Sequence, residues 1–532
     1  MPIADSPRPG ARRGRGPGRS RPAGAALAAA CALLILAAPP APARGGAAGG
    51  LTGLAGLKAA YDALLDARFD RTRQRLARAC GPAPPPACEV VRAAAMWWQI
   101  LLDPHDTSRD EAFLRQAEHA IESAERWVER EPGRAEAWFY LGGAYGARVS
   151  WRVQRGERLA AARDGKRIKE ALEQALEIEP TLDDARFGIG LYKYYADVAP
   201  AAARLLRFLL LLPGGDRQQG LRDMQATEAR GHLIAGEALY QLHWIYLWYE
   251  QQPARGLEAL EQLHARYPGN PHFLQRIGEV QSEYFHDPAR SLAAWRRLAD
   301  TAGSSGEPAI ARVRGRLGMA EQLDALGETD RAIEQLERVL AEPPSRPAGA
   351  RARARLLLGR ALDRIGERAA ALESYRLALS APVPDEDPEE IHDAARAGLA
   401  RAPAPQAADA YRLALEGWRA LERGDLPTAD ARLAEARGLS PDDPLVRARL
   451  ALLGARAEPD RALDELDRII AARPDVPPVA LNAAYLWSAR LLASDGRRDE
   501  AADRYRAATR VHGGDSRMAD QARAALARLE RR

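Results

Sequence analysis

The chain has 532 residues, 46% of them hydrophobic, with 44 Gly, 37 Pro and 3 Cys, and is long for a single globular core. Its 77 basic and 73 acidic residues give a formal charge of +4, but six arginines and one acid, Asp5, lie in the first 43 residues. The remainder carries 71 basic against 72 acidic residues, which gives no electrostatic reason to expect nucleic acid or an acidic membrane as partner.

Residues 1–43 read as a secretory signal peptide. Arg8, Arg12, Arg13, Arg15, Arg19 and Arg21 precede the apolar run Ala23–Ala38, and Ala41-Pro42-Ala43 supplies small residues at cleavage spacing. Residues 44–50 are then a flexible lead-in, and the mature chain is exported to the periplasm or cell envelope. A lipoprotein site at Cys31 and an uncleaved anchor are the alternative readings, although sixteen apolar residues is short for a span.

Cys80 and Cys88 flank Gly81–Ala87, a Pro-rich stretch expected to be a non-helical loop. In an oxidising compartment a disulfide here would staple the first hairpin turn, with two inert thiols as the alternative. The region offers too few ligands for a metal.

Residues 51–300 form an aromatic-rich half with eight of the ten tryptophans. One helix opens Trp138, Leu141, Gly142, Tyr145, and Ala175 and Pro180 close the same unit after a long charged stretch, Arg152–Lys169, read as extended helices. Further on, Phe187, Tyr192, Tyr194 and Tyr195 share a helix that precedes the apolar run Leu205–Leu212, containing Phe208 and Leu209. Asp216 is placed to cap the next helix. Trp244, Tyr246, Trp248 and Tyr249 end a helix expected to begin near Gly231. The bland reading of this region is a buried plug. The sharper ones are an aromatic groove for a ligand or partner, or an apolar patch (Leu205, Phe208, Leu209, Leu212, Trp244, Trp248) that carries a ligand or docks on a membrane surface.

Residues 301–307 read as a joint, followed by a regular half over 308–514. There a small residue is followed by Ala, a large apolar residue, a small or apolar one and usually Pro: Gly327, Ala332, Leu336, Val339, Pro344; Gly366, Ala371, Tyr375, Ala378, Pro382; Gly424, Ala429, Leu433, Ala436, Pro441; Ala457, Ala462, Leu466, Ile469, Pro474; Gly496, Ala501, Tyr505, Ala508. Successive alanines are 39, 58, 33 and 39 residues apart, and the Pro-rich insertion 382–405 accounts for the longest interval. Each position has a mechanical role: a turn glycine, an alanine where two helices cross, a groove-filling residue, and a proline that ends the second helix. Residues 515–532 read as a terminal capping helix.

Recurrence on this scale predicts an all-α solenoid of antiparallel helix pairs. With Trp138-x-x-Leu141-Gly142-x-x-Tyr145, and Ile189-Gly190, Ile277-Gly278 and Leu358-Gly359 as partial copies, the chain resembles the tetratricopeptide-repeat superfamily over most of residues 51–532. That resemblance implies a right-handed superhelix with a concave groove lined by the first helix of each pair, where a partner lies. Carried over by position, the groove residues are Phe139, Phe187, Leu191, Tyr194 and Tyr195 in the first half, and Arg360, Arg364, Trp418 and Arg490 in the second. An extended peptide with an acidic end would suit them.

No catalytic motif is found: His-Glu-x-x-His, Gly-x-Ser-x-Gly and Cys-x-x-Cys are missing, and the nine histidines are scattered. No cofactor and no metal is expected. The reading is a non-enzymatic interaction scaffold of the cell envelope. Its rivals are a carrier of an apolar ligand, or membrane-surface docking, through residues 187–249.

Overall fold

Prolines and acidic caps set where the helices begin. Pro stands in the first turn of ten described helices, where its missing N–H would have had no partner, and Asp216, Asn270, Asp287, Asp425, Asp443 and Asp515 accept from the first-turn amides. The computed structural model describes residues 50–198, 214–342, 344–384, 387, 390–401 and 404–531. The expected signal peptide, with Cys31, and the run Leu205, Phe208, Leu209 and Leu212 lie outside the described residues.

Twenty-four α-helices and no strand are found among the described residues. The first half holds α1 (Leu54–Leu65), α2 (Phe69–Ala79), α3 (Pro85–Leu102), α4 (Asp110–Arg130), α5 (Ala135–Gln154), α6 (Arg158–Ile178), α7 (Asp183–Val198), α8 (Arg217–Arg230), α9 (Ala235–Trp248), α10 (Pro253–Arg266), α11 (Pro271–Glu283) and α12 (Pro288–Asp300). The second holds α13 (Pro308–Ala325), α14 (Thr329–Ala341), α15 (Ala350–Arg364), α16 (Arg368–Ser380), α17 (Ile391–Ala400), α18 (Pro405–Glu422), α19 (Leu426–Leu439), α20 (Pro444–Gly454), α21 (Pro459–Ala471), α22 (Pro478–Ser494), α23 (Arg498–Ala508) and α24 (Ser516–Glu530). Consecutive helices pair as antiparallel hairpins, and the first helices of neighbouring pairs touch, as α13 touches α15 and α20 touches α22. The fold is a tetratricopeptide-type solenoid.

The recurring pattern has the packing expected of it. Gly327, Gly366, Gly424 and Gly496 have φ of 74°, 85°, 78° and 79°, the left-handed region that ends the first helix of each pair. Ala332, Ala371, Ala429, Ala462 and Ala501 are all buried, with Leu336, Tyr375, Leu433, Leu466 and Tyr505 beside them. Arg152–Lys169 spans the end of α5 and most of α6, two long helices.

Three local expectations are corrected. Pro85, Pro86 and Ala87 belong to the first turn of α3 rather than to a loop, because that turn needs no amide donors. The helix bearing Trp244 and Trp248 begins at Ala235, since Gly231 is the C-cap of α8. The Pro-rich insertion contains α17, whose buried Ile391 and Ala395 pack with Tyr375.

Each half curls back on itself. In the first, Tyr267 donates to Asp62 at 3.0 Å, Asn270 Nδ2 to the Leu65 carbonyl at 2.8 Å, and Gly269 N to Asp66 at 2.6 Å. The segment 301–307 lies against the same place: Gly306 N donates to the Gly269 carbonyl at 2.9 Å, and a Cβ on Gly306 would meet the Ala67 carbonyl. One hydrophobic cluster runs from Leu247 to Leu358 through this segment. In the second half Arg517 at the start of α24 donates to Glu328 at 2.8 Å; α24 also touches α12 of the first half, where the rings of His512 and His286 come within 5.1 Å.

Candidate functional site

The two curled halves differ inside. Inside the first, among the described residues, Trp98, Tyr240 and Phe273 pack ring to ring at 5.0–6.2 Å, and Trp98 Nε1 donates to Glu237 at 3.0 Å. The second retains a cavity of about 240 Å³ between α13, α18, α20, α22 and α24.

Trp418 on α18 and Trp487 on α22 form one wall of that cavity, their ring centroids 6.1 Å apart. Arg449, midway along α20, holds its guanidinium 4.7 Å from the Trp418 ring centroid and is only 7% exposed. It donates to the Ala414 carbonyl at 3.3 Å, and no carboxylate lies within 4.0 Å of it among the described residues. Burial pulls this guanidinium down to about 10, with Arg419 adding to the effect and Tyr411 and Asp443 opposing it.

The opposite wall is acidic and already matched. Glu328, at the turn before α14, accepts from Arg517 at 2.8 Å and from Arg331. Burial alone would raise its carboxyl; the two guanidiniums outweigh burial and hold it below the usual range. Arg419 reaches Asp330 with two bonds, 2.7 and 2.8 Å, and Glu422 with one at 2.8 Å.

Among the residues singled out from sequence, Trp418 alone lines this cavity. Arg360 is exposed with no carboxylate partner among the described residues. Arg364 pairs with Asp324 at 3.2 Å, and Arg490 is exposed and donates to Gln521 at 2.7 Å. Phe139 and Tyr194 are buried in the core and present no surface to a partner. Phe187, Leu191 and Tyr195 are half-buried against Tyr194 and Met224. The Tyr194, Tyr195 and Tyr249 rings meet edge to face at 5.5–5.9 Å, and Tyr194 donates to Glu250, which also accepts from Arg217 at 2.7 Å. Trp244 is buried, and Trp248 beside it is 36% exposed.

Cys80 and Cys88 sit with sulfurs adjacent and Cα atoms 6.0 Å apart. Among the described residues no group of three His, Cys, Asp or Glu could hold a metal, and no helix is long and apolar enough to cross a membrane. Arg449, Glu328 and Arg517 are not singled out by the sequence, and Trp487 is noted there only as a tryptophan of the second half. The available signal was that Trp418 and Trp487 are the only tryptophans of the second half.

Residues 352–382, covering α15 and α16, match the family model described as a tetratricopeptide repeat. No curated protein matches the chain. Among solved structures, the chain is similar to a tetratricopeptide repeat protein from Parabacteroides merdae ATCC 43184, at 15% identity over 52% of this chain and 93% of that one, with a TM-score of 0.24. It is also similar to the apo form of RapI, at 15% identity over 73% of this chain and 99% of that one, TM-score 0.35. A third is the APC/C hetero-tetramer Cut9-Hcn1, at 12% identity over 89% and 88%, TM-score 0.24.

Proposed function

Because the chain is a tetratricopeptide-repeat protein, we propose that it is a non-enzymatic scaffold of the cell envelope that holds an acidic segment of a protein partner on the first helices of its second half. The observation that carries this is Arg360, an exposed guanidinium on the α15 first helix with no carboxylate partner among the described residues, near Arg364 one turn on. An unmatched cation on a rigid helix favours an acidic partner and speeds its encounter. The leader-like first 43 residues support export. The approach of Cys80 to Cys88 supports a disulfide made in an oxidising compartment.

The test is crosslinking and co-purification from the native envelope with wild-type protein and Arg360→Glu. Binding should fall by about tenfold or more on charge reversal. A partner retained equally by both proteins would remove the acidic-segment reading, and a mature chain found only in the cytoplasm would remove the envelope assignment.

A further inference from the structure

Arg449 is buried with its guanidinium on the Trp418 ring but, among the described residues, with no carboxylate within 4.0 Å. It is 7% exposed, it is charged at neutral pH, and its single hydrogen bond, to the Ala414 carbonyl, is long at 3.3 Å. A buried cation without a paired anion is costly unless something else supplies the charge. The guanidinium has five N–H donors in a planar fork that suits a carboxylate. It lines a cavity whose remaining walls include the indoles of Trp418 and Trp487, with Leu445 and Met518.

We propose that this cavity binds a small free carboxylic acid with an apolar or aromatic body, its carboxylate on Arg449 and its body against Trp418, Trp487 and Met518. This goes beyond the scaffold reading and does not depend on it. The acidic wall sets the ligand's charge. Arg331, Arg419 and Arg517 already serve Glu328, Asp330, Glu422 and Asp515, so Arg449 alone is left for an incoming anion. A phosphate dianion would bring a second charge towards three lining carboxylates, whereas one carboxylate brings a single charge. The volume of the cavity sets the ligand's size. The last helix forms one side of the cavity and is tied down by Arg517 to Glu328 and by the packing of His512 on His286, which favours a small free acid over the bulk of a partner chain. About 240 Å³ suits a molecule the size of a one-ring or two-ring acid.

The test is calorimetric titration of the whole mature chain with phenylacetate, indole-3-acetate and hexanoate, each beside its neutral amide. At least one acid should bind, at least about tenfold tighter than its amide, because a charged pair is lost with the amide. Arg449→Met should weaken that acid at least as much, while the ligand-free variant melts no lower than wild type, since it removes a buried unmatched charge. If no acid binds at millimolar concentration, or an acid and its amide bind alike, the proposal fails. It also fails if Arg449→Met binds as wild type does. Should Arg449→Met not fold, Met518→Glu on the half-buried face of the last helix places a like charge at the cavity, and undiminished binding there overturns the assignment.

Discussion

Arg517 donates to Glu328 across 2.8 Å, joining the last helix to a hairpin turn 189 positions earlier. Glu328 is 8% exposed at its side chain and Arg517 is 46% exposed, so the pair closes the second half at its rim. Arg517→Ala should cost about 1–2 kcal/mol, the loss of a charge-assisted bond with Arg331 and Arg419 still near the carboxylate. Because Glu328 is held below its usual range in the folded chain, this contribution exists above the unfolded value and disappears as pH falls through the folded one. Urea unfolding of both proteins, at neutral and acidic pH, reads the difference, and small-angle scattering should show the variant expanded.

Glu237 predicts the opposite pH trend. Burial pushes its carboxyl up to about 7, against the bonds donated by Trp98 and, at 3.4 Å, by Tyr61. A folded value above the unfolded one means its stabilisation is complete below the unfolded value and is lost as pH rises through about 7. Glu237→Gln keeps an oxygen for both donors and should gain about 2 kcal/mol over wild type between about pH 5 and about pH 8. Melting temperatures that stay parallel across that range would contradict the assignment.

Two glycines separate space from backbone strain. A Cβ on Gly318 would meet Trp295 Cδ2 at 2.1 Å, with Trp295 already buried against Gly278. At Gly424 nothing lies within 4 Å, but φ is 78°. Gly318→Ala should cost about 1–3 kcal/mol through overpacking, and Gly424→Ala about 1–2 kcal/mol through the left-handed backbone. Asn tolerates that backbone, so Gly424→Asn should recover much of the loss, whereas Gly318→Asn should be worse than Gly318→Ala. Thermal unfolding of the four variants decides it.

Cys80 and Cys88 are eight positions apart, so a bond between them closes a short loop worth about 2–3 kcal/mol. Cys88→Ser should lower chemical stability by that amount in oxidised protein and change nothing in protein kept reduced. Peptide mapping with and without reductant establishes whether the bond forms.

The regular half was legible because each unit repeats one mechanical solution. A left-handed glycine, a crossing alanine and a filling Leu or Tyr each leave a fixed residue type at a fixed interval, and Ala371 with Tyr375 sits as that pattern requires. Closure left no such trace. Tyr267 meeting Asp62 and Arg517 meeting Glu328 depend on how the turns accumulate over about a dozen helices, which no local spacing encodes. The aromatic groove expected in the first half failed at Phe139 and Tyr194 for the same reason: the residue types that line a groove also fill a core, and curvature decides between them. Arg449 was hidden differently, as one arginine among many, distinguished only by lacking a carboxylate.

The meeting of His512 with His286 has an evolutionary consequence. Open repeat arrays lengthen and shorten readily, since each unit answers only to its neighbours. Here the two ends of a turn must arrive at one place, so gaining or dropping a hairpin in the second half would leave α24 facing empty space. The number of units in this half is therefore fixed by geometry, and its descendants should vary in loop sequence while keeping the hairpin count.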